Sequence, residues 1–179
     1  EMEIFLVVDE CFLDFVKEPE KHSLKAQLSR YHNLFLLKAF TKRYAIAGVR
    51  LGYGISENVE LLDKMTMATQ PWNISVMAQA AGIAALKENE YVENGRQMVF
   101  EEAKYLREKL QEFGMEVFPS EANYIFFKGP ENLFEKCVKH GVLIRDCSNY
   151  FGLKKGYYRV AVRTHEENEK LIQSMQEEA

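Results

Sequence analysis

The 179-residue sequence contains few cysteines. Cys11, Cys137 and Cys147 are its three, an odd number without the CxxC spacing that is typical of metal or redox sites. A disulfide framework or a zinc site needs a denser and more regular set, so the sequence predicts neither. We expect the protein to work in the reducing cytoplasm.

The sequence also lacks a strong charge of one sign. It has 23 lysine and arginine residues against 27 aspartate and glutamate residues, for a formal net charge of −4. Nucleic acids and anionic membrane surfaces attract clustered cations, so neither is an expected partner. No apolar run approaches the roughly 18 residues that span a membrane. The four scattered histidines, His22, His32, His140 and His165, predict no metal site.

Short apolar runs alternate with turn residues in the first third of the sequence. The runs at 4–8, 33–40 and 51–56 predict three strands, and the first has the continuous apolar profile of a strand buried on both faces. A helix is expected over 23–31, and one or two helical turns over 42–49. Because the chain opens directly on a strand, we expect it to be the later part of a longer protein.

Helical and strand patterns share the rest of the sequence. Gly114 is the expected stop of a long helix, and Thr164 with Glu167 forms a capping box that starts the last one. Apolar spacing and alanine content predict helices over 57–69, 75–89, 91–114, 130–141 and 164–178. Aromatic and β-branched residues predict strands over 115–120, 123–129, 142–147 and 157–162.

Two stretches carry a recognisable chemical pattern. "VVDECFLDF" places Asp9 at the end of the first predicted strand, and "AFTKRYAIAGVRLGY" places Thr41, Lys42 and Arg50 after the second. Together they resemble the cofactor-binding core of class I and II aminotransferases, the fold-type I enzymes that use pyridoxal phosphate. The closest resemblance within that family is to threonine-phosphate decarboxylases and histidinol-phosphate aminotransferases. The segments "QPWNISVMAQAAG", "EANYIFF" and "GVLIRDCSNYFGLKKGYYRVAVRTHEEN" are similar to the decarboxylase branch in particular.

This resemblance spans nearly the whole chain but only the C-terminal half of such an enzyme. It implies an α/β fold, with a partial large-domain sheet of three strands followed by a C-terminal α+β small domain. Residues 1–56 would end the cofactor-binding large domain, residues 57–92 would be connecting helices, and residues 93–179 would form the small domain. We therefore expect the isolated chain to expose an apolar sheet edge and to be inactive.

Pyridoxal phosphate is the cofactor that the resemblance implies. Its protonated ring nitrogen withdraws electrons from the substrate α-carbon, and the Asp9 carboxylate would keep that proton on the ring. Lys42 would form a Schiff base with the aldehyde, and its apolar neighbours predict a buried amine, which is more easily neutral. Arg50 would bind the phosphate bidentately, with Thr41 adding a hydroxyl. The ordinary alternatives are a turn-capping aspartate, a surface lysine and an exposed arginine.

Two arginines in the later strands are the substrate contacts that the resemblance implies. Arg159, in "YYRVAV", would bind the substrate α-carboxylate, and Arg145, in "VLIRDC", would help to bind the substrate through its phosphate. The alternative is that both form salt bridges at strand edges. Trp72, in "QPWN", would lie either in a core or against the partner subunit of a homodimer.

Two positions depart from the family pattern. Three residues after the aspartate, the family often has a tyrosine whose hydroxyl meets a cofactor oxygen, and this sequence has Phe12. Three residues before the lysine, the family's phosphate-binding hydroxyl is replaced by Ala39. Each lost hydrogen bond costs roughly 1.5–3 kcal/mol, so we expect weaker cofactor retention.

The resemblance implies an enzyme that acts on a small phosphorylated amino acid. Decarboxylation of L-threonine O-3-phosphate, a reaction of cobalamin biosynthesis, is favoured, and transamination of histidinol phosphate or of another amino acid is the alternative. A non-catalytic folding or dimerisation module is the alternative from another class, since a fold does not by itself determine a function.

Overall fold

A computed structural model describes residues 4–176 and divides the chain into two compact units, residues 1–94 and 95–179. Each unit contains a small sheet. Within the described residues, no helix combines the length and the apolar character that crossing a membrane would require. The last two residues of the expected final helix, 177 and 178, lie outside the described residues.

The first unit is built on a three-stranded sheet in the order β1-β2-β3. Its strands are β1 (Leu6–Asp9), β2 (Leu34–Ala39) and β3 (Gly52–Ile55), as the apolar runs predicted. β1 runs parallel to β2, with Asp9 opposite Leu37. β3 runs antiparallel to β2, with Gly52 opposite Ala39. The ends of β1 and β2 and the start of β3 therefore lie at one edge of the sheet, which we call the polar edge.

Short helical segments connect these strands, and two longer helices follow the last strand. In chain order they are a 3₁₀ turn (Leu13–Phe15), α1 (Pro19–His22), a 3₁₀ helix (Leu24–Arg30), α2 (Phe40–Arg43), a 3₁₀ turn (Ala47–Val49), α3 (Val59–Ala68) and α4 (Val76–Ala85). The segment predicted as a helix over 23–31 is helical, but in the tighter 3₁₀ form. Ser23 begins it by accepting a hydrogen bond from the Lys25 N–H at 3.2 Å.

The core of the first unit forms between β2 and the 3₁₀ helix that precedes it. Leu28 packs there with Leu34 and Leu36. The prediction that β1 is buried on both faces is wrong, because Leu6 and Val7 are 48% and 52% exposed. Within the described sheet β1 has a neighbouring strand on one side only, so its apolar side chains are left at an open edge, as we expected for a partial sheet.

A long amphipathic helix, α5 (Asn89–Glu112), spans the boundary between the two units. Its buried residues include Val99, Ala103, Leu106 and Leu110. Gly114 follows the helix with φ of 73°, and the Met115 N–H donates to the Leu110 carbonyl at 3.0 Å. Because glycine adopts this left-handed conformation without a Cβ penalty, the predicted helix stop is confirmed.

The second unit contains an antiparallel four-stranded sheet in the order β4-β5-β7-β6. Its elements are β4 (Glu116–Val117), β5 (Tyr124–Lys128), α6 (Leu133–Lys139), β6 (Arg145–Asp146), β7 (Tyr157–Ala161) and α7 (His165–Gln176). Side chains alternate between the two faces of β5 and β7. The core face consists of Ile125, Phe127, Tyr158 and Val160. The other face is half-buried and consists of Tyr124, Phe126, Tyr157 and Arg159.

Candidate cofactor and substrate sites

Asp9 ends β1 with its side chain exposed at the polar edge. The Cys11 backbone N–H donates to Asp9 Oδ1 at 2.9 Å. Hydrogen bonds from the Cys11 thiol and, to a smaller extent, from this N–H hold the pKa of Asp9 below its ordinary value. Burial, and to a smaller extent the Asp9 carboxylate, raises the pKa of the Cys11 thiol to about 11. The thiol therefore stays protonated and can donate a hydrogen bond. Asp9 is therefore an ionised and accessible carboxylate at neutral pH.

Lys42 lies on α2, the single helical turn that follows β2. Phe40 takes the buried position of this turn, whereas Lys42, two residues later, points to a different side and is exposed. The predicted burial of Lys42 is therefore wrong, because the apolar residues and the lysine occupy different faces of the turn. Its Nζ atom lies 5.3 Å from the centre of the Phe12 ring. Thr41, the preceding residue, is half-buried.

Arg50 lies in a tight turn before β3. Its backbone has φ of 57° and ψ of 43°, a left-handed conformation that residues other than glycine rarely adopt. Ala45, earlier in the same loop, has φ of 55°. The exposed Arg50 side chain donates from Nη1 to the Ala47 carbonyl at 3.1 Å. Such conformations cost on the order of 1–3 kcal/mol each and are concentrated at binding sites, so this loop has the character of a ligand-binding segment.

The pairing of β2 with β3 brings the Lys42 and Arg50 segments together. Ala39, three residues before Lys42, pairs with Gly52, two residues after Arg50. Glycine is favoured here because a Cβ on Gly52 would lie 3.0 Å from a carbonyl oxygen of β2, which is a tight contact. The parallel pairing of β1 with β2 places Asp9 at the same edge. The structure thus brings all four predicted cofactor residues, Thr41 included, to the polar edge.

The cations at the polar edge differ in whether a carboxylate neutralises them. Lys38 and Arg43 both form ion pairs. Among residues 4–176, no carboxylate lies within ion-pair distance of Lys42 or Arg50. Two such cations on neighbouring segments create a positive potential that favours an anion.

Two residues next to Asp9 have contacts that sequence analysis missed. Glu10 is only 4% exposed and pairs with Lys38 at 2.8 Å, and Cys11 hydrogen-bonds Asp9. Their only sequence signal is adjacency to Asp9, because a glutamate beside a strand end is an exposed residue in most proteins. Its burial depends on which residues lie under the strand end, and the sequence does not show this.

Arg145 and Arg159, the predicted substrate residues, lie opposite each other in the second unit as partners across β6 and β7. The Arg159 Cζ lies 5.0 Å from the centre of the Tyr124 ring, and the Arg145 Cζ lies 5.3 Å from that of Tyr150. In the described part of the chain neither arginine is within ion-pair distance of a carboxylate, so the alternative of strand-edge salt bridges is not supported. Like charges directly opposite each other are destabilising, and a bound anion would relieve this repulsion.

The sequence profile of the family described as "Aminotransferase class I and II" matches residues 1–175. The chain belongs to this family. A relative from Caldanaerobacter subterraneus subsp. tengcongensis, provisionally named a threonine-phosphate decarboxylase, is 34% identical over 97% of this chain and 48% of the relative. Histidinol-phosphate aminotransferase from Oleidesulfovibrio alaskensis is 36% identical over 96% of this chain and 46% of that protein. This aminotransferase-family chain thus spans about half the length of the curated relatives that it matches.

Solved structures of family members share the fold of this chain. Histidinol-phosphate aminotransferase from Clostridium acetobutylicum has a TM-score of 0.90 at 30% identity, covering 97% of this chain and 54% of its own. The Sinorhizobium meliloti enzyme, in complex with pyridoxal-5'-phosphate, has a TM-score of 0.76 at 21% identity, covering 96% of this chain and 47% of its own. The latter identity shows the fold alone. The predicted α/β fold of fold-type I aminotransferases is confirmed.

Membership of the aminotransferase family implies pyridoxal phosphate as the cofactor, and the residues at the polar edge fit it chemically. The ionised Asp9 suits a protonated ring nitrogen, and the accessible Lys42 amine suits an aldehyde. The Arg50 guanidinium and the Thr41 hydroxyl suit a phosphate. The ring nitrogen, the aldehyde and the phosphate of the cofactor thus each have a complementary side chain at this edge, whereas Phe12 offers no hydroxyl to the ring oxygen.

Proposed function

We propose that this chain is part of a pyridoxal-phosphate-dependent enzyme that acts on a small phosphorylated amino acid. The observation that carries the proposal is the presence of Asp9, Lys42 and Arg50 at one sheet edge, with all three side chains exposed. In open α/β sheets ligands bind at the carboxyl ends of parallel strands, and β1 and β2 end there.

Each polar-edge residue would have a separate task. When bound, pyridoxal phosphate withdraws electrons from the substrate α-carbon. Asp9 would hold the proton on the ring nitrogen, and Arg50 with Thr41 would hold the phosphate. Lys42 would hold the aldehyde carbon covalently, with loss of water, until the substrate amine takes its place, and the released Lys42 amine would then move a proton at the substrate α-carbon. Its exposure leaves the amine free to do both.

The two opposed arginines support a substrate with two anionic groups. Arg159 would bind the α-carboxylate and Arg145 the phosphate, since planar guanidinium groups bind both bidentately. L-threonine O-3-phosphate carries both groups, whereas histidinol phosphate has a phosphorylated hydroxymethyl group in place of the carboxylate and so carries the phosphate alone. We therefore favour decarboxylation of L-threonine O-3-phosphate, as in cobalamin biosynthesis. The name of the 34%-identical relative also supports it.

Transamination is the second candidate, because a 36%-identical relative is a histidinol-phosphate aminotransferase. The two reactions are separated by their products in the complete protein that contains this chain. With L-threonine O-3-phosphate, decarboxylation releases carbon dioxide without needing an amino acceptor. Dependence on a 2-oxo acid, with no carbon dioxide released, would overturn our preference and favour transamination.

Borohydride reduction tests the cofactor assignment itself. After incubation with pyridoxal phosphate and reduction, we expect the cofactor mass on the peptide that contains Lys42. Lys42→Arg should abolish this mass, whereas Lys64→Arg, on the exposed face of α3, should leave it unchanged. Absence of the mass from the complete wild-type protein would favour a non-catalytic folding or dimerisation module. Absence from the 179-residue chain alone would agree with our expectation that the isolated chain is inactive.

The first unit also has features that support a homodimer. Trp72 is 94% exposed and has φ of 62°, a costly conformation for a bulky residue. Met67 on α3 and Met77 on α4 are also exposed, and large exposed apolar groups mark interfaces. We assign this surface to the dimer contact. In the same proposal, residues 1–56 end the cofactor domain, residues 57–92 are connecting helices and residues 93–179 form the small domain. Sedimentation of Trp72→Ser should show a weakened dimer.

We place the enzyme in the cytoplasm. Cys11, Cys137 and Cys147 are all free, and free thiols suit a reducing compartment. Fractionation of cells that produce the complete protein, followed by immunodetection, tests this placement.

A further inference from the structure

Glu10 lies beneath the polar edge, in a set of contacts that the proposed function does not use. Its carboxylate is 4% exposed. Oε2 accepts from Lys38 Nζ at 2.8 Å and from Ser23 Oγ at 3.0 Å, and Oε1 accepts from the Leu24 N–H at 2.9 Å. A buried carboxylate is costly unless it is paired and hydrogen-bonded, and here both oxygens are occupied.

These contacts join the two strands that supply the cofactor residues. Glu10 directly follows Asp9, and its N–H donates to the Leu37 carbonyl at 3.0 Å. Successive side chains on a strand point to opposite faces, so Glu10 reaches into the protein while Asp9 is exposed. Lys38 lies on β2, four residues before Lys42. The ion pair therefore connects the residue after Asp9 to the strand that leads to Lys42.

A second ion pair links the same two segments further on. Arg43, next to Lys42 on α2, pairs with Asp14 in the 3₁₀ turn that follows β1. Arg43 Nε also donates to the Tyr44 hydroxyl at 3.3 Å. The loop after β1 is thus attached to β2 and α2 at two points, one on each side of Lys42 in the sequence.

We propose that Glu10 is a positioning residue for the cofactor site: its buried ion pair with Lys38 holds the ends of β1 and β2 together and so sets the placement of Asp9 relative to Lys42. The inference rests on the proposed function. An apolar pair could also hold two strands, but an ion pair with hydrogen-bonded oxygens permits one geometry only. Burial opposes ionisation, but Lys38, the Leu24 N–H and Ser23 outweigh it and keep the pKa of Glu10 below its ordinary value.

The test compares Glu10→Gln, Lys38→Met and the double variant in the complete protein that contains this chain. Thermal unfolding of the cofactor-free protein reports on folding, and absorbance titration reports the Kd for pyridoxal phosphate. Lys38→Met leaves a buried unpaired carboxylate and should lower the unfolding temperature. The double variant removes both charges and should unfold near the wild-type temperature. Its binding of pyridoxal phosphate should stay about tenfold weaker than that of the wild-type protein, because small misplacements of reacting groups have large effects.

A double variant of an exposed pair, Glu60→Gln with Lys64→Met on α3, is the matched control and should change neither measurement. If the Glu10/Lys38 double variant recovers both the unfolding temperature and the Kd, the pair is only structural and the inference fails. If the wild-type protein takes up no cofactor at Lys42, the proposed function fails and this inference fails with it. Weaker binding of pyridoxal phosphate by the double variant, at the unfolding temperature of the wild-type protein, supports the inference.

Discussion

The Lys42 Nζ atom lies 5.3 Å from the centre of the Phe12 ring, so an aromatic face meets the lysine. Such a contact contributes about 0.5–1 kcal/mol at exposed sites. Phe12 belongs to the segment after β1 and Lys42 to the turn after β2, so the contact bridges the two strands of the polar edge. Phe12 is also where the family resemblance has a tyrosine, and the ring is therefore kept while the hydroxyl is absent.

Replacing Phe12 with tyrosine is expected to tighten binding of pyridoxal phosphate. The added hydroxyl can donate to the anionic ring oxygen, and such a bond contributes roughly 1.5–3 kcal/mol, or about tenfold or more in Kd. Absorbance titration of the complete protein measures this, with Phe151→Tyr at a fully exposed position as the control. An unchanged Kd, or submicromolar binding by the wild-type protein, would contradict the expected weak retention.

Removing either of the opposed arginines should weaken substrate binding without lowering the stability of the protein. Arg159→Met and Arg145→Met each relieve a like-charge contact across β6 and β7, so the unfolding temperature should stay the same or rise slightly. Affinity for the phosphorylated amino acid should fall about tenfold or more, because a charged hydrogen bond is lost. Isothermal titration and thermal unfolding measure the two effects, with Lys104→Met on α5 as the control. A marked loss of stability in both variants would indicate a structural role instead.

Two glycines near α5 should respond in opposite directions to alanine. Gly95 lies within the helix and Gly114 follows it with φ of 73°, and a Cβ at either position would meet no atom within 4 Å. Gly95→Ala should raise the free energy of unfolding by about 0.5–1 kcal/mol, because alanine favours a helix. Gly114→Ala should lower it by about 1 kcal/mol, because alanine disfavours positive φ. Denaturant unfolding checks both, and equal effects would argue against this helix end.

Glu167 should titrate well below an ordinary glutamate. Hydrogen bonds from Arg163 and then Thr164 lower its pKa from 4.5 to about 2. Since the folded pKa is the lower one, the stabilisation is complete above pH 4.5 and is lost as the pH falls from 4.5 toward 2. NMR titration should show a midpoint near 2 that rises toward 4.5 in Arg163→Met. Lys170→Met, on the same helix, should leave the midpoint unchanged, and a midpoint near 4.5 in the parent would refute the assignment.

The elements of the second unit could be predicted because their signals are local. Alternation along β5 and β7, the apolar face of α5 and the glycine that ends it all act over a few residues. The motif residues Asp9, Lys42 and Arg50 could be chosen because their two segments resemble the cofactor-binding core of class I and II aminotransferases. Their roles remain predictions, whereas the family and the fold are confirmed.

Burial at the polar edge could not be predicted, because it depends on segments that are distant in sequence. β1 has the apolar profile of a buried strand, yet its position at the end of the sheet exposes it. Lys42 lies among apolar residues, yet one helical turn directs Phe40 inward and the lysine outward. Glu10 has the character of a surface residue, yet Lys38 and Ser23 enclose it.

The sequence by itself determined the family, the strand and helix types and the chemical groups available, since these follow from residue identity and short-range periodicity. Tertiary structure decided which of those groups are accessible and which are paired. Strand register brought Lys42 and Arg50 to one edge and placed Arg145 opposite Arg159, and the same packing buried Glu10 beside Asp9. Accessibility and pairing arise from contacts between distant segments, and these exist only once the chain has folded.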